Sequence, residues 1–93
     1  MVKKDERIVG NRVTIRAYLH NQFPGYNVIE RVCPSLYHEF TVTNTDLERR
    51  YAIKISWAKL SDRRNTPQRL WSSLTNDLVA SGMVRAGNEG LRF

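Results

Sequence analysis

Hydrophobic and polar positions alternate most strictly between Leu36 and Trp57. His38, Phe40 and Val42 alternate with Tyr37, Glu39, Thr41 and Thr43. After a polar break at Asn44-Thr45-Asp46, Tyr51, Ile53, Ile55 and Trp57 alternate with Arg50, Ala52, Lys54 and Ser56. Period-two alternation rich in β-branched and aromatic residues marks half-buried strands, and two such runs joined by a short polar segment predict an antiparallel hairpin with one wet face. Tyr26 to Val32 reads as a strand before them, with Tyr26, Val28, Glu30 and Val32 on one side. Pro34-Ser35 breaks it, because proline cannot donate to a ladder.

The flanking segments carry helical spacing. Ile8, Ile15, Leu19 and Phe23, with Tyr18 beside them, form a stripe that places Arg12, Arg16 and His20 together on a polar face. Val13, Ile15, Ala17 and Leu19 also alternate as a strand would, but Asn11 suits an N-cap and Pro24-Gly25 a stop. A helix over about residues 11–23 is expected, preceded by a flexible, charged N-terminal tail over residues 1–10. After the third strand, Ala58-Lys59-Leu60-Ser61 leads into the loop Asp62-Arg63-Arg64-Asn65. Thr66-Pro67 is a helix start, since the proline's missing N–H would be unpaired there in any case. Leu70, Trp71, Leu74 and Leu78 mark one apolar face, and Gly82 supplies a left-handed residue to end the helix. Tyr51, Ile53, Ile55 and Trp57 should meet that face in the core. Met83-Val84-Arg85 and Leu91-Arg92-Phe93 suit a small terminal hairpin or an extended tail. The expected architecture is α+β, in the order α-β-β-β-α. It has a three-stranded antiparallel meander, both helices on one face, and a short C-terminal β extension, all in a single domain over residues 11–93.

Composition changes this picture mainly through charge. The chain has 93 residues, 41% of them hydrophobic, and a formal charge of +6. The excess is uneven: residues 1–33 carry +3, residues 34–62 are neutral, and residues 63–93 carry +3 again. Basic segments flanking a neutral sheet favour polyanionic partners. No apolar run is long enough to span a membrane, and the charged N-terminus lacks the apolar region of a signal peptide. The single Cys33 cannot form an intrachain disulfide. A cytoplasmic protein held together by packing, without cofactor or metal, is therefore expected.

Little here points to catalysis. Cys33 and His38 fall near one strand-turn-strand corner, but a Cys–His pair needs an orienting group and an oxyanion site. Zinc-ligand spacing and glycine-rich phosphate loops are missing, and the carboxylates form no paired set, so no enzyme is expected. The basic residues carry more. Arg63 and Arg64 precede a helix N-terminus and Arg69 lies in its first turn, where unpaired N–H groups and the helix dipole favour an anion. Arg12, Arg16, Lys3 and Lys4 form a second candidate group, and Tyr37 could add base stacking.

Two partial family likenesses bear on this. The order α-β-β-β-α, with Pro24-x-Tyr26 after the first helix and Pro34 then His38 ahead of a strand, resembles a double-stranded RNA-binding domain over about residues 11–82. That resemblance implies RNA contacts at the opening of the last helix, where the family has a lysine cluster. Here the place is taken by Asn65-Thr66-Pro67-Gln68-Arg69, and the family's glycine segment between strand and helix is missing. Leu78 to Arg85 with Leu91-Arg92-Phe93 resembles the helix-plus-wing ending of winged-helix DNA binders. The expected function is non-catalytic binding of nucleic acid, DNA or RNA, through Arg/Lys contacts to phosphates. The alternative is a protein-interaction module or homodimer that uses the open sheet face or an edge strand.

Overall fold

A computed structural model of the protein describes residues 4–33 and 37–93. The chain runs α1 (Lys4–Gln22), β1 (Asn27–Cys33), β2 (Tyr37–Asn44), β3 (Arg49–Ser56), α2 (Trp57–Ser61), α3 (Pro67–Asn76), α4 (Val79–Ala86) and β4 (Leu91–Arg92), with a single 3₁₀ turn at Gly87–Glu89 before the last strand. The fold is α+β, with one four-stranded sheet in the order β1-β2-β3-β4. β1, β2 and β3 form the expected antiparallel meander.

The alternation read from the sequence sets the sheet's two faces. His38, Phe40 and Val42 pair with Ile55, Ile53 and Tyr51 in register. His38, Phe40, Val42, Ile53 and Ile55 are fully buried beneath the helices. At the far end Phe23, Tyr26 and Tyr51 gather with ring centroids 5.4–6.3 Å apart, an arrangement that adds to plain area burial. The β2–β3 turn is held by Asn44, whose Oδ1 accepts the Leu47 N–H at 3.1 Å, and by Glu48 in a left-handed conformation (φ 52°).

α1 begins earlier than expected. The segment read as a flexible tail over residues 1–10 is helical from Lys4 onward, and residues 1–3 lie outside the described part. Ile8 packs against the core and extends the buried stripe back by one turn. Asn11 is therefore an interior residue of the helix, not its cap. Its side chain is wholly buried and donates to the carbonyls of Leu60 and Asn65, each at 2.9 Å. Asn11 thus ties the α2–α3 connection to α1. The helix ends where Pro24 cannot continue it and Gly25 turns left-handed (φ 83°).

The C-terminal third departs most from expectation. Trp57 ends the strand pattern but opens α2, because Ser56 caps that helix: its Oγ accepts the Lys59 N–H at 3.2 Å. Thr66 caps α3 in the same way, accepting the Arg69 N–H at 3.2 Å, with Pro67 in the first turn as expected. The helix does not run on to Gly82. It breaks at Asp77, and Leu78 is left-handed (φ 52°) with its side chain 62% exposed. Buried positions run Leu70 and Leu74 in α3, then Val79 and Met83 in α4. Each pair keeps helical spacing, but the break shifts the phase by one residue and turns Leu78 outward. The Tyr18 hydroxyl accepts the Ala80 N–H at 3.1 Å and so caps α4 from across the core. Trp71 is not an inner core residue either. It remains 36% exposed and meets Tyr18 edge-on at 5.8 Å.

Gly82 lies inside α4, where it makes room for β4: a Cβ there would sit 3.2–3.4 Å from the Leu91 methyls. The terminal hairpin does not form. Met83–Arg85 are helical, and Leu91 and Arg92 pair in parallel with Ile53 and Lys54 of β3. The sheet is therefore mixed, with α2, α3 and α4 as the crossover that a parallel pair requires.

Candidate nucleic-acid interface

The two arginine groups anticipated from the sequence have different surroundings. Arg12 and Arg16 lie one turn apart on the flank of α1 that faces β1. There Glu30 points inward from the edge strand, and its Oε2 accepts from Arg12 Nε and Nη2 at 3.0 and 2.7 Å. Its Oε1 accepts from Arg16 Nη1 at 2.8 Å. His38 Nε2, on the neighbouring strand, donates to the same Oε2 at 2.9 Å. Burial pushes the Glu30 carboxyl up, but bonds from Arg16, Arg12 and His38 outweigh it and hold the group down at about 2. His38 is enclosed by Phe40 at 4.9 Å and the edge of Trp57 at 5.6 Å, and its Nδ1 is buried without a hydrogen-bond partner among the described residues.

This cluster fixes α1 to the sheet. Both guanidiniums keep an exposed portion, but each is ion-paired to Glu30, Arg12 through Nε and Nη2 and Arg16 through Nη1. His38 is wholly buried and bonded to Glu30. In register His38 faces Val32, while Cys33 faces Tyr37. Among the described residues no group of three His, Cys, Asp or Glu side chains could hold a metal ion.

The second group lies at the opening of α3. Arg64, Asn65, Gln68, Arg69, Ser72, Ser73 and Asn76 line an open hollow of about 570 Å³ along that helix. Gln68, Arg69, Ser72, Ser73 and Asn76 recur at three- and four-residue spacing, so they share one face of α3 opposite the buried Leu70 and Leu74, and Arg64 and Asn65 join them from the preceding loop. The lining holds amides, hydroxyls and guanidiniums but no carboxylate. Asp62 lies just outside: its carboxylate pairs with Arg64 Nη2 at 2.9 Å and accepts the Arg64 backbone N–H at 2.9 Å. The Arg64 side chain nevertheless remains 81% exposed. Arg63 and Arg69 are exposed and have no ion-pair partner among the described residues. The loop that presents them is held to α1 by Asn11 and internally by Asn65, which donates to the Lys59 carbonyl at 2.9 Å.

Of the remaining candidates, Lys4 opens α1 and Lys3 lies outside the described residues. The role of Glu30 was not anticipated. A signal existed in the chain: a carboxylate among Tyr26, Val28 and Val32 on an inward-facing parity needs a partner. The Arg12/Arg16 pair and inward-facing His38 are the residues able to supply one.

Among the described residues no helix is long and apolar enough to cross a membrane. Comparison of the chain with protein-family models, curated proteins and solved structures finds no match.

Proposed function

We propose that the protein is a small, non-catalytic nucleic-acid-binding domain that contacts phosphates through the open polar face of α3. The observation that carries this reading is the lining of the α3 hollow by arginine, asparagine, glutamine and serine without a carboxylate. Those side chains are the ones that hydrogen-bond phosphate oxygens and position a protein on a nucleic-acid backbone. Arg63 and Arg69 supply uncommitted charge, Arg64 retains an exposed guanidinium beside Asp62, and the α3 N-terminus adds its dipole. Arg12 and Arg16 have a mainly structural part in this scheme, because Glu30 already engages them. A cytoplasmic setting, where nucleic acid is accessible, belongs to the same reading. Fluorescence anisotropy with labelled single- and double-stranded DNA and RNA at low salt tests it, and absence of binding to all four contradicts it.

A second reading, as a protein-interaction module, draws on a different surface. An apolar groove of about 480 Å³ runs between α1 and α3, lined by Val13, Thr14, Ala17, Pro67 and Trp71 with two polar residues of α3. Val13 is 60% exposed there, and Ile29 is 54% exposed on the edge strand β1. Sedimentation across a concentration series, which reports self-association directly, tests the homodimer form of that reading.

A further inference from the structure

The sheet face turned away from the helices carries its own pattern of charge. Pairing across the strands sets Arg31, Glu39, Lys54 and Arg92 side by side in one row. This row contains three cations and one acid, and Arg50 adds another cation on the same face. In the next row Tyr37 lies opposite Ser56. Where these rows meet the C-terminal segment, Tyr37, Lys54, Ser56, Arg92 and Phe93 line a hollow of about 480 Å³. Lys54 Nζ lies 5.1 Å from the Tyr37 ring centroid, and Lys59 Nζ lies 3.7 Å from that of Phe93. The parallel pairing of β4 with β3 creates this site, because it brings Arg92 beside Lys54 and Phe93 to the end of the sheet.

The Tyr37 ring with Lys54 nearby, bordered by Phe93 (packed against the core under Lys59), a guanidinium and a hydroxyl, and without an acidic side chain in the lining, matches a specific kind of ligand. An unpaired base offers a π-face to that ring, and the phosphates that flank it offer charge to Lys54 and Arg92. A duplex keeps its bases stacked and cannot use the ring. We propose that this hollow takes an unpaired base of a single-stranded nucleic acid, stacked on Tyr37 beside Phe93, with the adjoining phosphates on Lys54 and Arg92. The proposal rests on the nucleic-acid reading above but places a second, strand-selective contact on the opposite side of the molecule from α3.

The test measures anisotropy of a labelled oligothymidylate and of a duplex of equal length on four forms of the full chain. These are the wild type, Tyr37→Leu, the double variant Lys54→Gln/Arg92→Gln, and the double variant Arg63→Ala/Arg69→Ala. Tyr37→Leu is expected to weaken single-strand binding about tenfold while leaving the duplex affinity in place, because stacking on an aromatic ring is what it removes. Lys54→Gln/Arg92→Gln should also weaken the single strand, and it alters no buried side chain, so it decides the matter if Tyr37→Leu lowers the thermal midpoint. Arg63→Ala/Arg69→Ala should weaken both ligands. If that variant weakens both while the sheet variants bind the single strand as the wild type does, the α3 reading stands and this one falls. If the wild type binds neither oligonucleotide, both fall. Full competition by thymidine monophosphate at comparable concentration would mean a free nucleotide is the ligand and overturn the strand assignment.

Discussion

Arg12 and Arg16 on α1 and Arg63 and Arg69 at the opening of α3 are the same residue type, yet their surroundings differ. What separates them is the position of one carboxylate. Glu30 reaches inward from β1 and draws both α1 guanidiniums onto its oxygens at 2.7–3.0 Å. Near α3, Asp62 engages Arg64 and leaves Arg63 and Arg69 without an ion-pair partner among the described residues. A basic sequence therefore does not measure a basic surface. The useful quantity is the charge left after the acids have been assigned, and in this fold part of that charge lies at the opening of α3 and part on the sheet face turned from the helices.

This contrast can be broken most sharply at its centre. Glu30→Gln should destabilise the fold by about 2–4 kcal/mol, because it leaves the buried His38 and two half-buried guanidiniums without their shared anion. Urea denaturation checks this, and a variant as stable as the wild type would make the cluster incidental.

The next effect is on pH. The Glu30 carboxyl is held at about 2 in the folded chain, below its ordinary 4.5. A depressed carboxylate contributes stability that is fully present above the ordinary value and is lost as pH falls through the folded one. Stability should therefore fall between about pH 4.5 and 2. The share due to Glu30 is on the order of 2 kcal/mol, once solvent screening of the two partly exposed arginines is discounted. In Glu30→Gln that acid-dependent share should vanish, so the two stability curves converge at low pH.

Smaller still is the effect of the arginines themselves. Arg12→Ala/Arg16→Ala should cost about 1–3 kcal/mol through lost charge-assisted bonds to a buried carboxylate. Arg63→Ala/Arg69→Ala should change stability by no more than about 0.5 kcal/mol, as exposed positions away from caps and core usually do. Equal costs for the two pairs would erase the distinction drawn here.

Much of the fold was legible in the chain because it depends on local periodicity. The alternation at His38-Phe40-Val42 and Tyr51-Ile53-Ile55 gave the hairpin and its inner face, and Thr66-Pro67 gave the start of α3. The parts that were not legible depend on partners distant in sequence. Asn11 has the chemistry of a cap, and only the carbonyls of Leu60 and Asn65 make it an interior clamp. Leu78 continues the spacing of Leu70 and Leu74, but Val79 and Met83 are buried instead, so the helix has to break. Gly82 has the chemistry of a helix stop, yet it lies inside α4, where Leu91 approaches closely. Of the candidate site, the Arg63/Arg64/Arg69 group could be read from its place before a helix. The capture of Arg12 and Arg16 required knowing that Glu30 shares the inner face with His38. Of the sheet-face hollow only Tyr37 could be read as a stacking candidate, since the rest exists through the parallel pairing of Arg92 with Lys54.

The most direct test of the account is the salt dependence of nucleic-acid affinity for the two double variants, measured beside the wild type by anisotropy. Each phosphate contact that releases a counterion contributes about 0.7–0.9 to the slope of log affinity against log salt. Arg63→Ala/Arg69→Ala should flatten the slope by up to about two such contacts, and Arg12→Ala/Arg16→Ala should leave it close to the wild-type value at a pH and temperature where both variants are folded. A slope that flattens for the α1 pair and stays unchanged for the α3 pair would contradict the account and place the interface on α1.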